Sequence, residues 1–454
     1  MTTRPVVSRP AVSRPVVSRP VAGRTAAIVG IGQTAYAKAL PGTAWELAME
    51  AVLAACADAG VDVAEVDGMC RFTAPFETVT EAQLVRGLGI RELTWFTQAA
   101  HGGEALGAVV MHAAAAVSAG LARTVVVYRA LSQSKGGRFG RADSRGPGGA
   151  GSGGAASGGP RPGGPRPDGP APGGPGPSGG GSSDGGSSGA DGDIVVPEQD
   201  NLSFAWPYGL MSPGQLFALW ARRYAAVHKL GDVDLTRALG AIAVTQRRYA
   251  NNNPNAMMRD RTMSWADYQG ARMISEPLRL FDLCLENDGA CAFVVTTADR
   301  ARALRPDPAW ILSATQTISP YREPMGIYPS GELLELFPPA AAERLFAEAG
   351  VGRADIDVAE FYDATSYMPL RSLESYGFVP DGQAWRYVTE QGTGPDSPLP
   401  VNTHGGHLSE AYLHGMNGIL EAVRQLRGSA PNQVADAEVA LIGAPAGSAA
   451  ILAR

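Results

Sequence analysis

Cysteine is scarce in this 454-residue chain. Cys56, Cys70, Cys284 and Cys291 form no C-x-x-C pair and no disulfide framework. That excludes a disulfide-stapled secreted fold and makes a reducing cytoplasm the expected compartment. Basic surface is lacking too: the net charge is −6, and the one concentration of arginines, in the N-terminal tail, has no interleaved aromatics. Nucleic acid is therefore not an expected partner. No stretch approaches the ~20 apolar residues that a membrane helix needs. The nearest, "ALGAVVMHAAAAVSAGLA", is interrupted by His112 and Ser118 and reads as a buried helix. Aromatics make up only 7%, with Ala, Val and Leu abundant, as suits a helix-and-strand protein with a sizeable core.

Glycine and proline are plentiful, with 57 and 34 residues, but much of the excess lies in two segments. Residues 1–24 repeat a unit of the type SRPVV, whose regular prolines forbid helix and strand and predict a disordered Arg/Pro tail. Those prolines also spoil the amphipathic helix of a transit peptide. Residues 141–193 are a Gly/Pro/Ser-rich insertion without large apolar side chains, so nothing there offsets the entropy of ordering. The expected organisation is a first half over 25–140 and 194–303, interrupted by this insertion, and a second half over 304–454.

Both halves alternate strand and helix. Strands are predicted at 26–31, 123–128, 291–297 and 309–317, and another ends near 361 in "DVAEFYDAT" (357–365). Helices are predicted over 44–60 (acidic start, glycine stop), 104–119, 338–350 and roughly 410–427, and "AEVALIGAPAGSAAILA" (437–453) reads as a closing hairpin. Two similar α/β halves imply stacked sheets with helices between and outside them. Sites in such architectures gather where loops leave strand ends, here near 99, 362 and 404–412.

The segment "VNTHGGHLSEAYLHGMNGILEAV" (401–423) holds three of the six histidines, His404, His407 and His414, within eleven positions. A metal site is not expected, because H-x-x-H here straddles two glycines and no H-E-x-x-H pattern occurs. "VGIGQT" (29–34) lacks a complete G-x-G-x-x-G and reads as a strand turning into a loop.

These loops give the chain its resemblance to the thiolase superfamily, specifically the lipid-transfer or sterol-carrier-type thiolase-like branch. "NTHGGHLSEAYLHGMNGILEAVRQLRG" (402–428) matches that branch almost throughout, and "SEPLRLFDLCLENDGACAFVVTT" (275–297) resembles its sheet-closing segment. The resemblance implies an α/β thiolase-like fold: two similar βαβαβαββ halves with stacked mixed sheets in a layered αβαβα arrangement. It also shows what is missing. In "TQAAHGGEALGA" (97–108) the nucleophilic cysteine position falls on Ala99, with Gly102 at the motif's glycine. Tyr412 stands for the histidine of the Gly-His-Pro turn, and Leu441 for the C-terminal cysteine. In "YDAT", Tyr362 and Asp363 stand for the asparagine and glutamate of Asn-Glu-Ala-Phe. Without a nucleophile, chemistry through an acyl-enzyme is not expected.

The two tyrosines resemble those of the subset that acts as acyl-CoA retro-aldolases in steroid side-chain degradation. Such enzymes split a β-hydroxyacyl-CoA into a ketone and a shorter acyl-CoA, needing an acid and a base but no covalent intermediate. Tyr362 and Tyr412 are the expected pair. The alternative for each is an aromatic that packs a loop. A phenol, with pKa about 10, needs neighbouring cations or donors to serve as a base. Asp363 either orients a tyrosine or caps a turn. His404 is a candidate catalytic residue. His101, Gly405, Gly406 and His407 are candidates for substrate contact, His407 with a structural alternative, and His414 is expected to pack. The scaffold implies enolate-stabilising backbone donors around Gly443 and Ala444. Within "FAWPYGLMSPGQLFALWARRYA" (204–225), Trp206, Tyr208 and Met211 are candidates for the acyl pocket wall, with helix packing as the equal alternative.

An acyltransferase using an unorthodox nucleophile and a non-catalytic acyl-CoA or lipid-transfer protein are the competing classes. No cofactor is expected beyond the coenzyme A thioester as substrate. The resemblance also implies a homodimer through a sheet edge and a partner joining a zinc ribbon to an oligonucleotide/oligosaccharide-binding (OB-fold) barrel.

Overall fold

The computed structural model describes residues 25–73, 79–99, 105–135, 206–210, 212–317, 339–445 and 447–454. The N-terminal repeat and the 141–193 insertion lie outside them. In chain order the first strands and helices are β1 (Ala26–Gln33), α1 (Ala44–Ala59), β2 (Gly68–Phe72), α2 (Glu81–Leu88), β3 (Trp95–Ala99), α3 (Leu106–Ser118) and β4 (Thr124–Ser132). Three helices follow, α4 (Pro213–His228), α5 (Asp232–Asn252) and α6 (Trp265–Gly270). A small hairpin, β5 (Met273–Ser275) and β6 (Leu278–Arg279), leads to β7 (Asp288–Thr297), α7 (Ala298–Leu304) and β8 (Ala309–Gln316). The remainder is α8 (Pro339–Ala349), β9 (Val358–Phe361), α9 (Tyr367–Ser375), α10 (Ala384–Glu390), α11 (Gly406–Ser409), α12 (Met416–Arg427), β10 (Val439–Gly443) and β11 (Ser448–Ala453).

The strands repeat one topology twice. The order is β3-β2-β4-β7-β1-β8-β11-β10-β9. In the first half β1–β7 and β7–β4 are antiparallel, whereas β4–β2 and β2–β3 are parallel. In the second, β8–β11 and β11–β10 are antiparallel and β10–β9 parallel, and an isolated parallel bridge from Ala359 to Val401 stands where β3 would be. A short ladder joins the halves at Ala27↔Trp310 and Ile28↔Ala309.

Helix α3 packs on strands of both halves, as does α12, while α1 and α8 pack on one half each; instead of two separate stacked sheets, the β1–β8 ladder joins both halves into one nine-stranded order. Strands enclosed this way bury both faces and read as continuous apolar runs. Alternation divides them: Val125 and Val127 of β4 and Phe293 of β7 enter the central core, whereas Val126, Tyr128 and Val294 pack under α1. Each such fully buried side chain contributes about 1.5–3 kcal/mol. Close approach is purchased with small residues. A Cβ on Gly107 of α3 would lie 2.3 Å from the Ala449 backbone of β11. Helix α1 begins with a Thr43/Glu46 capping box and ends at Gly60, whose φ is 66°.

One helix differs from expectation. The run predicted over roughly 410–427 begins only at Met416, because His414 (φ 53°) and Gly415 (φ 97°) are left-handed and break it. No helix among the described residues is long and apolar enough to cross a membrane.

Candidate active site

Three loops converge beyond the end of β9. Tyr362 follows that strand directly, and its amide donates to the Gly443 carbonyl at 2.8 Å. The 402–415 loop is clamped alongside: Asn402 Oδ1 accepts from the Phe361 amide (2.7 Å), and its Nδ2 donates to the Phe361 carbonyl (2.9 Å). Segment 283–287 stitches the two loops together. Cys284 N donates to Ala364 O (3.0 Å), Leu285 N to His407 O (2.9 Å), and Tyr412 N to Asn287 Oδ1 (2.6 Å). These ties bring the two phenolic oxygens to 3.1 Å, with each tyrosine only 6% exposed.

His407 is wedged between the rings, at 5.3 Å from Tyr362 and 5.2 Å from Tyr412, edge-on to both. Asp363 holds it: the carboxylate accepts the His407 amide at 2.9 and 3.0 Å, and its Oδ1 lies 2.8 Å from Nδ1. On the other side Nε2 lies 3.2 Å from Asn417 Oδ1. Asn417 Nδ2 donates to Glu410 Oε2 (2.7 Å) and Ala411 O (3.0 Å), so its oxygen faces the ring and Nε2 is the donor. Asp363 therefore positions a histidine rather than a tyrosine. Gly405 and Gly406, placed by sequence among substrate contacts, make this packing possible. Both have positive φ, and a Cβ would meet Ala250 at 2.8 Å from Gly405 and Asp363 Oδ2 at 2.2 Å from Gly406. Both glycines are buried.

His404 lies one layer deeper among acids. Its Nδ1 is 2.8 Å from Glu360 Oε2 and its Nε2 3.8 Å from Glu410 Oε2. Burial disfavours its charged form, but Glu410, Glu360 and Glu421 outweigh that and raise its pKa from 6.5 to about 10. Burial, against the pull of His404, pushes the Glu360 carboxyl up. A base whose pKa is higher in the folded chain stabilises the fold while protonated. That contribution is complete below the unfolded value and lost as pH climbs toward the folded one. The raised Glu360 acts in the same direction. Thermal midpoints measured from pH 6.5 to 10 should therefore fall, and a His404→Gln/Glu360→Gln double variant should show a shallower slope.

The thiols offer no nucleophile. Burial, aided by nearby Glu81 for Cys70 and Asp363 for Cys284, pushes each of these to about 12, and burial takes Cys291 to the same value. A thiol near 12 is ionised in only ~1 part in 10⁵ at pH 7. Ala99 is buried at the end of β3. Around 443–444 the donor expectation needs correction: the Ala444 amide donates to Ser448 O at 3.1 Å, closing the β10–β11 turn, so it is committed. His101, the Trp206 side chain and Met211 lie outside the described residues, and Tyr208 is 83% exposed rather than part of an inner wall. His414 abuts the Tyr412 ring at 4.5 Å.

Two other groupings lie elsewhere. A surface cleft of about 350 Å³ includes Asp62, Glu65, Asp67, Arg91, Arg123 and Arg300, beside the opposite ends of β2 and β4 from the tyrosines. His228, Glu374 and Asp381 gather near one another, but Arg371 already bridges the two carboxylates and Tyr224 donates to Glu374 at 2.7 Å.

Sequence reading missed Arg129, Glu360, Glu410, Asn287 and Asn417. It also passed over α5, whose end supplies Asn253 to His404 O (2.9 Å) and Glu410 Oε1 (2.8 Å). An arginine inside "TVVVYRALS" was the visible signal for the first.

The thiolase C-terminal domain-like family matches residues 332–452. The 17-hydroxy-3-oxo-4-pregnene-20-carboxyl-CoA lyase of Mycobacterium tuberculosis is 40% identical over 423 residues, covering 93% of this chain and 96% of that one. The steroid side-chain-cleaving aldolase of Thermomonospora curvata is 36% identical over 425 residues, covering 93% and 95%. The solved Ltp2-ChsH2(DUF35) aldolase is 34% identical with a TM-score of 0.77, over 95% of this chain and 98% of that one. Matched along nearly its whole length by such lyases, the chain belongs to the thiolase superfamily, in its lipid-transfer retro-aldolase branch, and is a carbon–carbon lyase.

Proposed function

We propose that this chain cleaves a β-hydroxyacyl-CoA of the steroid side-chain type into a ketone and a shorter acyl-CoA, with Tyr362 and Tyr412 as its base and acid. The observation that carries the assignment is the 3.1 Å separation of the two buried phenols. Burial raises both above the ordinary phenol value. The Tyr412 hydrogen bond works against that rise for Tyr362, and the Arg129 charge does so for both. Tyr362 is assigned the base and Tyr412 the acid, and the hydrogen bond between them lets the proton pass either way.

In the cycle, Tyr362 phenolate takes the β-hydroxyl proton as the Cα–Cβ bond breaks. The bond's electrons pass to the thioester carbonyl as an enolate, and the β carbon becomes the ketone. Tyr412 then delivers its proton to Cα. A proton shift from Tyr362 to Tyr412 across their hydrogen bond restores the starting state, and no residue is acylated. His407, fixed by Asp363 and Asn417, keeps the two rings in register.

The test is incubation with a panel of β-hydroxyacyl-CoA thioesters, polycyclic and aliphatic, followed by mass spectrometry for the ketone and the shortened CoA ester. Products of thiolytic cleavage at a β-keto thioester would point to the acyltransferase class instead.

The reading extends to partners. The solved aldolase carries a DUF35 protein in its name, and we assign this chain a partner of that kind, joining a zinc ribbon to an OB-fold barrel. Among the described residues the β3 strand ends the sheet order with no strand paired outside it, and its Phe96 is 65% exposed. Such an edge, without proline or lysine, is a template for pairing with another strand. It is the surface assigned to a homodimer: Phe96→Glu should halve the mass measured by light scattering, leaving far-UV circular dichroism unchanged. The four cysteines are all free, and the assigned compartment is the cytoplasm.

A further inference from the structure

Glu410, with relative exposure of 0%, is an acid that the proposed cycle does not use. Glutamate is almost never buried so completely unless paired, and the structure surrounds this one with donors. Oε1 accepts from Asn253 Nδ2 at 2.8 Å and Oε2 from Asn417 Nδ2 at 2.7 Å, with His404 Nε2 3.8 Å from Oε2. Its backbone is tied down too: the amide donates to Gly406 O at 2.8 Å, and the carbonyl accepts from Met257 N at 3.0 Å.

Neither asparagine is free to turn over. Asn253 Oδ1 accepts from the Asn255 amide at 2.9 Å, and its Nδ2 also donates to His404 O at 2.9 Å. Asn417 Nδ2 aims its hydrogens at two acceptors, Glu410 Oε2 and Ala411 O. Its oxygen is left for His407 Nε2, which must carry a proton to use it. The other ring nitrogen, Nδ1, faces the Asp363 amide at 3.4 Å and Asp363 Oδ1 at 2.8 Å. That cage accommodates Nδ1 with or without a proton, so Asn417 is what demands one on Nε2.

We infer that Glu410 is a positioning residue for the reaction: by fixing the Asn417 amide it keeps a proton on His407 Nε2, and so holds that ring between Tyr362 and Tyr412. The chain of contacts is continuous. It runs from Asn253 at the end of α5 through Glu410 and Asn417 to the imidazole, which meets the two tyrosine rings at 5.3 and 5.2 Å. Glu410→Gln breaks it at one point. Glutamine offers one acceptor and one donor where glutamate offers two acceptors. With Asn253 fixed, the new NH2 group faces Asn417 Nδ2, two donors opposed. Asn417 must turn and present its own NH2 to Nε2, and the ring proton then moves to Nδ1, where Asp363 Oδ1 receives it.

The catalytic role rests on the retro-aldol reading, whereas the place of the proton does not, so the two are measured separately. The full chain is prepared with isotope-labelled histidine, and proton–nitrogen correlation NMR reports which ring nitrogens carry hydrogen. His407→Gln identifies the signals. Wild type should show a proton on Nε2, and Glu410→Gln should show Nε2 bare. Glu360→Gln, which removes the acid on the other side of His404 without touching Asn417, should keep the wild-type pattern. In β-hydroxyacyl-CoA cleavage Glu410→Gln should lose about 10- to 100-fold in kcat, with KM within about threefold, the scale of a displaced group at a reacting centre. The exchange Glu410→Gln/Asn417→Asp restores an acceptor to Nε2, and it should return the proton and most of kcat. Asn417→Ala removes that acceptor, should match Glu410→Gln in both readouts, and serves if the glutamine variant does not fold. A proton that stays on Nε2 in Glu410→Gln, an exchange that fails to return it, or a normal kcat once it has moved would overturn the inference. Full activity in Tyr412→Phe would instead overturn the tyrosine assignment itself.

Discussion

Tyr412→Phe is expected to lower kcat for β-hydroxyacyl-CoA cleavage by about 10²- to 10⁴-fold, the usual worth of a positioned acid or base. KM should change little, because the ring and its packing remain. Tyr362→Phe should do the same, and the double variant should be no worse than either single one, since residues that work as a unit are not additive. Stability should fall by only about 1 kcal/mol in each case, the net contribution of one hydrogen bond. Steady-state kinetics beside thermal denaturation separate the two effects. If both single variants cleave normally, the phenols are packing aromatics and the chemistry lies elsewhere.

Gly406→Ala has the second largest expected effect, and it acts through the fold. Its φ of 63° disfavours alanine by roughly 1–2 kcal/mol. In addition its Cβ would fall 2.2 Å from Asp363 Oδ2 and 2.7 Å from Gln246 Oε1. Asp363 cannot retreat without releasing the His407 amide it accepts from, and leaving such a buried polar group unpaired costs about 1–3 kcal/mol. A total loss of several kcal/mol is expected, together with loss of activity as His407 leaves the tyrosine rings. Gly428→Ala is the matching control: its φ is 70°, but nothing lies within 4 Å of the added Cβ. Only the backbone cost should appear there. Equal midpoints for the two variants would show that the contact with Asp363 is unimportant.

The two cases mark how far the sequence could be read. Strands such as β4 and β7 were legible because burial on both faces leaves an unbroken apolar run, and α1 because an acidic start and Gly60 bracket it. The tyrosine positions came through resemblance, by matching loops residue against residue. What escaped depends on long-range placement. His414 reads as one more helical residue, yet its contact with Arg129 spans 285 positions and needs a backbone angle that no propensity predicts for histidine. Asp363 could be narrowed to orienting a tyrosine or capping a turn, but its tie to His407 depends on two glycines 42 and 43 residues downstream. Ala444 was read as a donor because the motif offers its amide; the tight turn to Ser448 consumes it. The helices α4 and α5 escaped because they follow one another with no strand between them, outside the strand–helix alternation that marks both halves.

The chemistry proposed for this cavity moves protons without ever attaching substrate to protein. Intact-protein mass spectrometry during turnover, quenched in acid while ketone and shortened CoA ester accumulate, examines that most directly. The account predicts the unmodified chain mass at every time point. A population heavier by the acyl group, rising and falling with turnover, would contradict it.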